Sequence, residues 1–149
     1  MRRTSLAALA LIIIVGGGAS VAAQRLDQLR SWAGKYPTER TGRVTRSFFR
    51  LAPVQAPLAR TLSRKDFNLL TRVYKVETPI KELGDYLAVK VCMPHDCGES
   101  QAGFAINLRT GSVYVKMKEG DDVRRFASKG NYTDLPQDVQ DYLNDFSAT

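Results

Sequence analysis

Alternation of apolar and polar positions predicts a series of β-strands in the second half of the chain. Within the segment 86–92, Leu87, Val89 and Val91 alternate with other residue types, a period of two that is typical of a strand. Glycine-containing turns then separate three further apolar segments. The predicted strands are 86–92, 103–108, 113–117 and 123–127, with turns at 109–112 and 120–122. This order favours an antiparallel meander, whose last strand carries Arg124 and Arg125 on a solvated face or edge.

Apolar positions at helical spacing occur on both sides of this β region. The predicted helices cover 24–34, 41–51, the single turn 58–62 after two interrupting prolines, and a C-terminal segment that Asp134 caps and Pro136 opens. The segment 66–76 fits either period, and its second half is assigned to a strand. Helices followed by a meander and one further helix indicate an α+β fold.

The same spacing predicts which side chains form a common core. The predicted core residues are Leu87, Val89, Val91, Phe104, Ile106, Val113, Val115, Val139, Leu143 and Phe146. No internal repeat or low-complexity tract divides the chain, and its length suits a single domain.

The first 23 residues have the features of a secretory signal peptide. Arg2 and Arg3 form a basic start, residues 6–15 form a continuous apolar run, and small residues follow. The uncharged stretch 6–23 is borderline in length for a membrane anchor, and three consecutive glycines within it favour cleavage. We therefore expect a signal peptide at 1–23 and one exported domain at 24–149, in an oxidising compartment.

The charge balance is basic but diffuse. The chain has 22 Lys and Arg residues against 15 Asp and Glu residues, a net charge of +7. Removal of residues 1–23 leaves 20 against 15, a net charge of +5. Acidic residues are interspersed, and no basic run alternates with aromatic residues, so nucleic-acid binding is not expected. An anionic envelope surface stays open as an electrostatic partner.

The segment 92–97, Cys-Met-Pro-His-Asp-Cys, holds both cysteines and the only histidine of the chain. A disulfide between Cys92 and Cys97 would close a small ring with the imidazole near its apex. Three interpretations stay open: a loop staple, a metal site that also uses His95 and Asp96, and a rigid recognition loop. The metal interpretation is the weakest, because zinc sites usually draw on two separate ligand pairs.

The chain lacks the usual catalytic motifs. Any Ser-His-Asp or Cys-His arrangement has to use His95, and no G-x-S-x-G pattern surrounds a serine such as Ser100. No Gly-rich phosphate loop is present. A two-carboxylate hydrolase stays open, since acids from separate elements can meet in space. We predict that the protein is not an enzyme and that it uses no cofactor or metal.

The segment 92–98, Cys-Met-Pro-His-Asp-Cys-Gly, resembles the C-K-P-H-D-C-G loop of the inhibitor of vertebrate lysozyme family, Ivy, from the bacterial periplasm. The surrounding order is also similar: Thr78-Pro79, a turn at Gly84-Asp85 and a Tyr-led strand precede the loop, and a hairpin, a strand and a Leu-Pro-led helix follow it. The resemblance covers roughly 78–146. Met93 stands where the family loop has lysine.

The resemblance implies an α+β three-layer sandwich, in which a central antiparallel sheet of about five strands has helices on both faces. It also implies a periplasmic protein inhibitor of c-type lysozyme. In that family the disulfide loop enters the lysozyme cleft, and its histidine lies between the catalytic carboxylates. Carried over to this chain, the inserted side chain is His95, Asp96 holds the loop, and a disulfide clamps it. The implied inhibitory loop consists of Cys92, Met93, Pro94, His95, Asp96 and Cys97.

Charge leaves the identity of the target open. The c-type lysozymes are characteristically basic, as this chain is, and like-signed proteins repel unless their contact patches are complementary. A related muramidase or an endogenous lytic transglycosylase is therefore the alternative target. An alternative of another class is a periplasmic enzyme or metal-binding protein that uses His95. No nucleic-acid partner and no membrane insertion after signal cleavage are expected, and a homodimer stays open.

Overall fold

The structure is a computed structural model that describes residues 25–145, and an antiparallel sheet with helices on both faces organises it. The predicted signal peptide at 1–23 and the predicted core residue Phe146 lie outside the described residues. Within residues 25–145, no helix is long and apolar enough to cross a membrane.

The N-terminal part consists of short elements. In chain order they are a 3-10 helix at Gln28–Trp32, strands β1 (Thr38–Thr41) and β2 (Val44–Ser47), a 3-10 helix at Phe48–Arg50, helices α1 (Ala52–Thr61) and α2 (Arg64–Asn68), and a π-helical turn at Leu69–Val73. Strands β1 and β2 form a hairpin of their own. The predicted helix over 24–34 is thus confirmed from residue 25 to Trp32, mostly as 3-10 helix, and it buries Leu29 and Trp32.

The main sheet has six strands in five positions, in agreement with the predicted α+β class. The strands are β3 (Val76–Glu77), β4 (Lys81–Leu83), β5 (Tyr86–Cys92), β6 (Ser100–Asn107), β7 (Val113–Glu119) and β8 (Asp122–Ala127). All pairs are antiparallel, in the order β3-β5-β6-β7-β8, and β4 also pairs with β5. A 3-10 helix at Tyr132–Asp134 and helix α3 (Gln137–Asn144) complete the chain.

The nine predicted core residues that the structure describes are all buried, but the sheet divides them into two clusters. Seven strand residues, among them Val89 and Phe104, pack against α1 and the N-terminal elements. Val139 and Leu143 of α3 cover the opposite face, where Ala88 lies. The expected single core is therefore two layers, because strands buried on both faces point side chains to each side.

Helix α3 approaches the sheet closely at Gly103. A β-carbon at this position would lie 3.0 Å from the Leu143 side chain, so glycine permits the contact. Two buried lysines of the same face hold the end of α3. Lys90 Nζ donates to the Asp145 carbonyl at 2.6 Å, and Lys116 Nζ donates to Asn144 Oδ1 at 2.8 Å. Cations stabilise this end of a helix because its last carbonyls are electronegative.

The predicted helix over 41–51 is wrong, because this segment forms most of the β1–β2 hairpin and the 3-10 helix that follows. Gly42, with a φ of 59°, begins a two-residue turn between Thr41 and Val44. β-Branched residues on each side of the turn favour extended backbone. Val44, one of the apolar residues that would lie on the inner face of the predicted helix, is 60% exposed.

Two further N-terminal expectations are wrong. Helix α1 begins at Ala52 rather than at Leu58, because Pro53 occupies the first turn, where a missing N–H costs no hydrogen bond, and the helix also accommodates Pro57. The segment 66–76 is mainly helical, since α2 continues into the π-helical turn, and only its last residue, Val76, joins the sheet.

The C-terminal helix begins at Gln137 with Pro136 as its N-cap residue, and Asp134 does not cap it. Asp134 instead accepts a hydrogen bond from the Asn131 N–H and closes the preceding 3-10 turn. The strands of the meander lie within two residues of their predicted bounds, except that β6 begins three residues earlier, at Ser100.

Candidate functional site

The loop 93–99 connects β5 to β6 at one end of the sheet. Cys92, the last residue of β5, is fully buried and forms a disulfide with Cys97, with the two α-carbons 5.0 Å apart. The Met93 N–H donates to the Ser100 carbonyl at 2.9 Å and continues the strand ladder beyond the register pair Cys92–Gln101. The predicted pairing of the two cysteines is therefore present, and the loop begins on rigid β-structure.

A tight turn over 93–96 forms the tip of the loop. The Asp96 N–H donates to the Met93 carbonyl at 3.1 Å, which closes a four-residue turn with Pro94 at its second position. His95 follows with a φ of 67°, and it is the only non-glycine residue in the described part of the chain with a positive φ. Proline followed by a residue with positive φ defines a type II turn. His95 therefore holds a backbone conformation that few side chains adopt.

The turn sorts its side chains into exposed and inward positions. Pro94 and His95 are exposed, whereas Met93 is half-buried and packs against the larger core cluster. None of the described residues hydrogen-bonds the imidazole of His95, so its ring nitrogens are available to a partner. Met93, at the position of the family lysine, anchors the loop inward and adds no charge to the tip.

Asp96 joins the two ends of the loop. Its Oδ2 accepts a hydrogen bond from the Ser100 hydroxyl at 2.5 Å, and its carbonyl accepts from the Ser100 N–H at 2.8 Å. These bonds connect the turn to the first residue of β6, whereas the disulfide connects it to the last residue of β5. The expectation that Asp96 helps to hold the loop therefore has a structural basis in its contact with Ser100.

The neighbouring β7–β8 turn supports the loop from one side. The Gly120 N–H donates to the Glu99 carbonyl at 2.9 Å, and Lys118 Nζ donates to the Gly98 carbonyl at 2.6 Å. Lys118 also lies 3.6 Å from the Glu99 carboxylate. The loop is consequently fixed by a disulfide, by Asp96 and by a second hairpin, and its exposed tip is shaped before any partner binds.

An ion-pair cluster holds the β7–β8 turn in place. Arg124 of β8 lies 2.5 Å from Asp66 and 3.0 Å from Asp122, and it also pairs with Glu119 at the end of β7. Arg124 and Arg125 lie on β8, an edge strand of the sheet, as predicted, but the ion pairs leave Arg124 only 28% exposed. Burial raises the pKa of Asp66, but hydrogen bonds from Ser63 and Arg124 outweigh burial, and its pKa lies below the ordinary value.

The sequence contains only a weak signal for this cluster. The spacing Ser63-x-x-Asp66 is that of a helix cap, and the Ser63 hydroxyl does accept from the Asp66 N–H. The bond from Arg124 to Asp66 crosses 58 positions of the chain and follows from the fold alone. Tyr74 lies close to the same carboxylates, and burial, with help from Glu119, raises the pKa of its hydroxyl to about 12.

The geometry suits recognition better than catalysis or metal binding. The cysteines are bonded to each other and present no thiolate to a metal or a substrate. Within residues 25–145, no group of three or more histidine, cysteine or acidic residues is placed to hold a metal ion. The tip offers one hydrogen-bonding ring on a braced turn, an arrangement suited to insertion into a complementary cleft.

Comparison with known proteins identifies the family. The model of the family described as inhibitor of vertebrate lysozyme (Ivy) matches residues 53–149, which is more than half of the chain. No curated protein and no solved structure matches the chain. The match extends the resemblance of 78–146 toward the N-terminus and includes all but the first residue of α1, the whole of α2 and the whole main sheet.

The chain belongs to the inhibitor of vertebrate lysozyme family. Its class is therefore that of inhibitor proteins rather than enzymes, and its partner is a lysozyme. The structure brings the six residues of the predicted inhibitory loop together on one clamped turn. The roles of these residues at the target stay predictions.

Proposed function

We propose that this chain is a periplasmic inhibitor of c-type lysozyme, which inserts the loop 92–97 into the catalytic cleft with His95 as its key contact. The observation that carries this proposal is the exposed imidazole of His95 on a turn that is fixed by the disulfide, by Asp96 and by the β7–β8 turn. A rigid, narrow projection can enter a cleft with a smaller entropy loss than a flexible loop.

The proposed contact is a charge-assisted hydrogen bond. Lysozyme cleaves its substrate with one carboxyl group that acts as an acid and one ionised carboxylate across a cleft. The imidazole of His95 can donate to one or both groups, and hydrogen bonds to ionised partners are stronger than neutral ones. A histidine held between the carboxylates would also exclude substrate from the site.

Each remaining loop residue has a supporting role in this proposal. Cys92 and Cys97 clamp the loop, Asp96 fixes its base through Ser100, and Pro94 sets the turn that points His95 outward. Met93 fills space beneath the turn and leaves recognition to its neighbours.

The proposed mature protein consists of residues 24–149 as one inhibitor domain, after removal of 1–23 as a signal peptide. The basic start and apolar run of this segment support export. The disulfide supports an oxidising compartment such as the periplasm.

A competition experiment tests insertion into the cleft. We expect the purified protein to inhibit a c-type lysozyme, and we expect an N-acetylglucosamine oligosaccharide that fills the cleft to weaken binding in proportion to its occupancy. Binding that the oligosaccharide leaves unchanged would contradict insertion, even if inhibition were seen.

An endogenous lytic transglycosylase is the second candidate target. The basic balance of the chain favours it, since a net charge of +5 after signal removal opposes association with a basic lysozyme. The same inhibition assay with purified transglycosylase as the target enzyme distinguishes the two. Inhibition of the transglycosylase at lower inhibitor concentration than lysozyme would favour the second target.

A further inference from the structure

A basic groove lies between the β1–β2 hairpin and the segment 71–75, away from the tip of the loop. The hairpin register pairs Thr38 with Ser47 and Arg40 with Thr45, which places these four polar side chains on one face. The opposite wall carries three cations. The groove has a volume of about 270 Å³ and is lined by Thr38, Arg40, Thr45, Ser47, Arg50, Thr71, Arg72 and Lys75.

No acidic side chain lines this groove, although two lie close to it in the sequence. Strand alternation directs Glu39 to the other face of the hairpin, where its carboxylate lies 3.6 Å from Lys35 Nζ. Both carboxylate oxygens of Glu77 are engaged by Thr38, through its N–H at 3.0 Å and its hydroxyl at 2.7 Å. The lining therefore carries four positive charges and no negative one.

The four cations of the groove differ in their ion pairing from several other basic residues of the molecule. Arg30, Arg124 and Lys118 are all within ion-pair distance of carboxylates. Among residues 25–145, no carboxylate lies within that distance of any groove cation. Like charges gathered in one groove repel, and a bound anion would relieve the repulsion.

We propose that this groove binds a phosphate group, as a monoester or a diester. Guanidinium groups present two parallel N–H donors that match two phosphate oxygens, and Lys75 adds a point charge. The hydroxyls of Thr45 and Ser47 donate hydrogen bonds to no described residue and can complete the set of donors. The groove is roomy enough for a ligand with more than one phosphate group.

The groove lies beside the edge strand β3, close to the base of the inhibitory loop. Lys75 directly precedes Val76, which pairs with Cys92 at the base of the loop. The phosphate could belong to an anionic lipid headgroup or to a soluble phosphate ester, and the chemistry of recognition is the same. Binding to a lipid headgroup would hold the protein at an anionic membrane surface.

Matched charge variants test the proposal with inorganic pyrophosphate in titration calorimetry and with phosphatidylglycerol vesicles in co-sedimentation. The groove variant is Arg40→Gln/Arg72→Gln, and the control is Arg43→Gln/Arg64→Gln, which removes two exposed cations outside the groove. We expect the groove variant to weaken binding by at least about tenfold and the control by less than about twofold. Urea unfolding of both variants verifies that each is folded.

Each result supports or overturns the proposal. Groove-dependent binding of pyrophosphate indicates a soluble ligand, and groove-dependent binding of vesicles alone indicates a headgroup; either result supports it. Equal losses in both variants would mean diffuse attraction to net charge, and would overturn the proposal. Absence of binding to both probes, or equally tight groove-dependent binding of polyglutamate, would also overturn it.

Discussion

His95 combines an exposed side chain with a left-handed backbone, and this combination affects how it can be tested. A non-glycine residue at a φ of 67° is strained by about 1 kcal/mol. Alanine keeps a β-carbon and hence keeps this strain, whereas glycine would relax the backbone and loosen the turn. His95→Ala is therefore the variant that removes the imidazole while changing the loop least.

Tyr74 is a buried tyrosine whose hydroxyl has no hydrogen-bond partner among the described residues. We expect Tyr74→Phe to leave stability near neutral pH unchanged or to raise it by up to about 1 kcal/mol, since an unpaired buried hydroxyl contributes nothing favourable. Urea unfolding of the variant and of the wild type at pH 7 measures this difference.

The free energies of unfolding of the wild type and of Tyr74→Phe should diverge at alkaline pH. Burial and Glu119 raise the pKa of Tyr74 to about 12, above its ordinary value of 10.0, so the folded state favours the neutral hydroxyl. This contribution is fully present below about pH 10 and is lost as pH rises toward 12, at a cost of up to about 2–3 kcal/mol. Tyr36→Phe, at an exposed position, is the control. If the free energies of unfolding of wild type and Tyr74→Phe changed in parallel up to pH 12, this prediction would be contradicted.

Individual site residues differed in how far the sequence could reveal them. The loop 92–97 was recognisable because its residues act together within six positions, and its disulfide is present in the structure. The ion pair between Arg124 and Asp66, which supports the loop, was not recognisable in the sequence. Its formation depends on how β8 and α2 meet in space. Long-range pairs of this kind leave no local pattern.

At the scale of elements, the disulfide closes a small ring between two paired strands. We expect Cys92→Ala/Cys97→Ala to lower the free energy of unfolding by only about 2 kcal/mol, because a small ring restricts few unfolded conformations. Alanine is the suitable substitute at Cys92 because that side chain is fully buried and a serine hydroxyl would need a partner there. Urea unfolding and lysozyme affinity are measured on the same samples.

The clamp should matter more for binding than for folding. Without it, the hydrogen bonds of Asp96 still connect the loop ends, but the turn gains freedom that binding has to remove. Affinity should therefore fall by more than unfolding stability would suggest. Unchanged affinity in the folded double variant would contradict the view that the disulfide shapes the recognition loop.

The elements also show where sequence patterns are informative. Strands β5 to β8 were predicted to within three residues because their alternation is regular and their turns contain glycine. The N-terminal elements were not predicted as well, since Val44, Phe48 and Leu51 are spaced like a helix. They lie instead in strand β2, in a 3-10 turn and at the N-cap of α1. In such short segments, packing of Phe48 and Phe49 against Phe104 outweighs local periodicity.

At the scale of the whole molecule, the positive charge is not uniform. Cations are concentrated in the groove beside the hairpin, whereas the base of the inhibitory loop carries the acidic residues Asp96, bonded to Ser100, and Glu99, paired with Lys118. The loop can therefore approach a basic enzyme with less repulsion than the net charge of the chain suggests. This distribution reduces the electrostatic penalty for a basic target, although the net charge of the chain still favours a less basic one.

The most direct test of the central claim is equilibrium binding of the wild type and His95→Ala to c-type lysozyme at several pH values. Truncation leaves the carboxylates of the target enclosed without a partner, so we expect a loss of roughly 2–4 kcal/mol, about 30- to 1,000-fold in affinity. The control is Lys129→Ala, which should bind like the wild type. Lys129 is exposed and lies beside the β6–β7 turn, at the end of the sheet opposite the loop.

The pH dependence of this difference identifies the form of histidine that binds. Imidazolium is favoured between carboxylates, so the advantage of the wild type should be greatest in mildly acidic solution and should decrease as histidine loses its proton toward alkaline pH. We predict that the affinities of wild type and His95→Ala converge as pH rises. Equal affinity of the two proteins at every pH would contradict the account and would leave the loop as a structural staple.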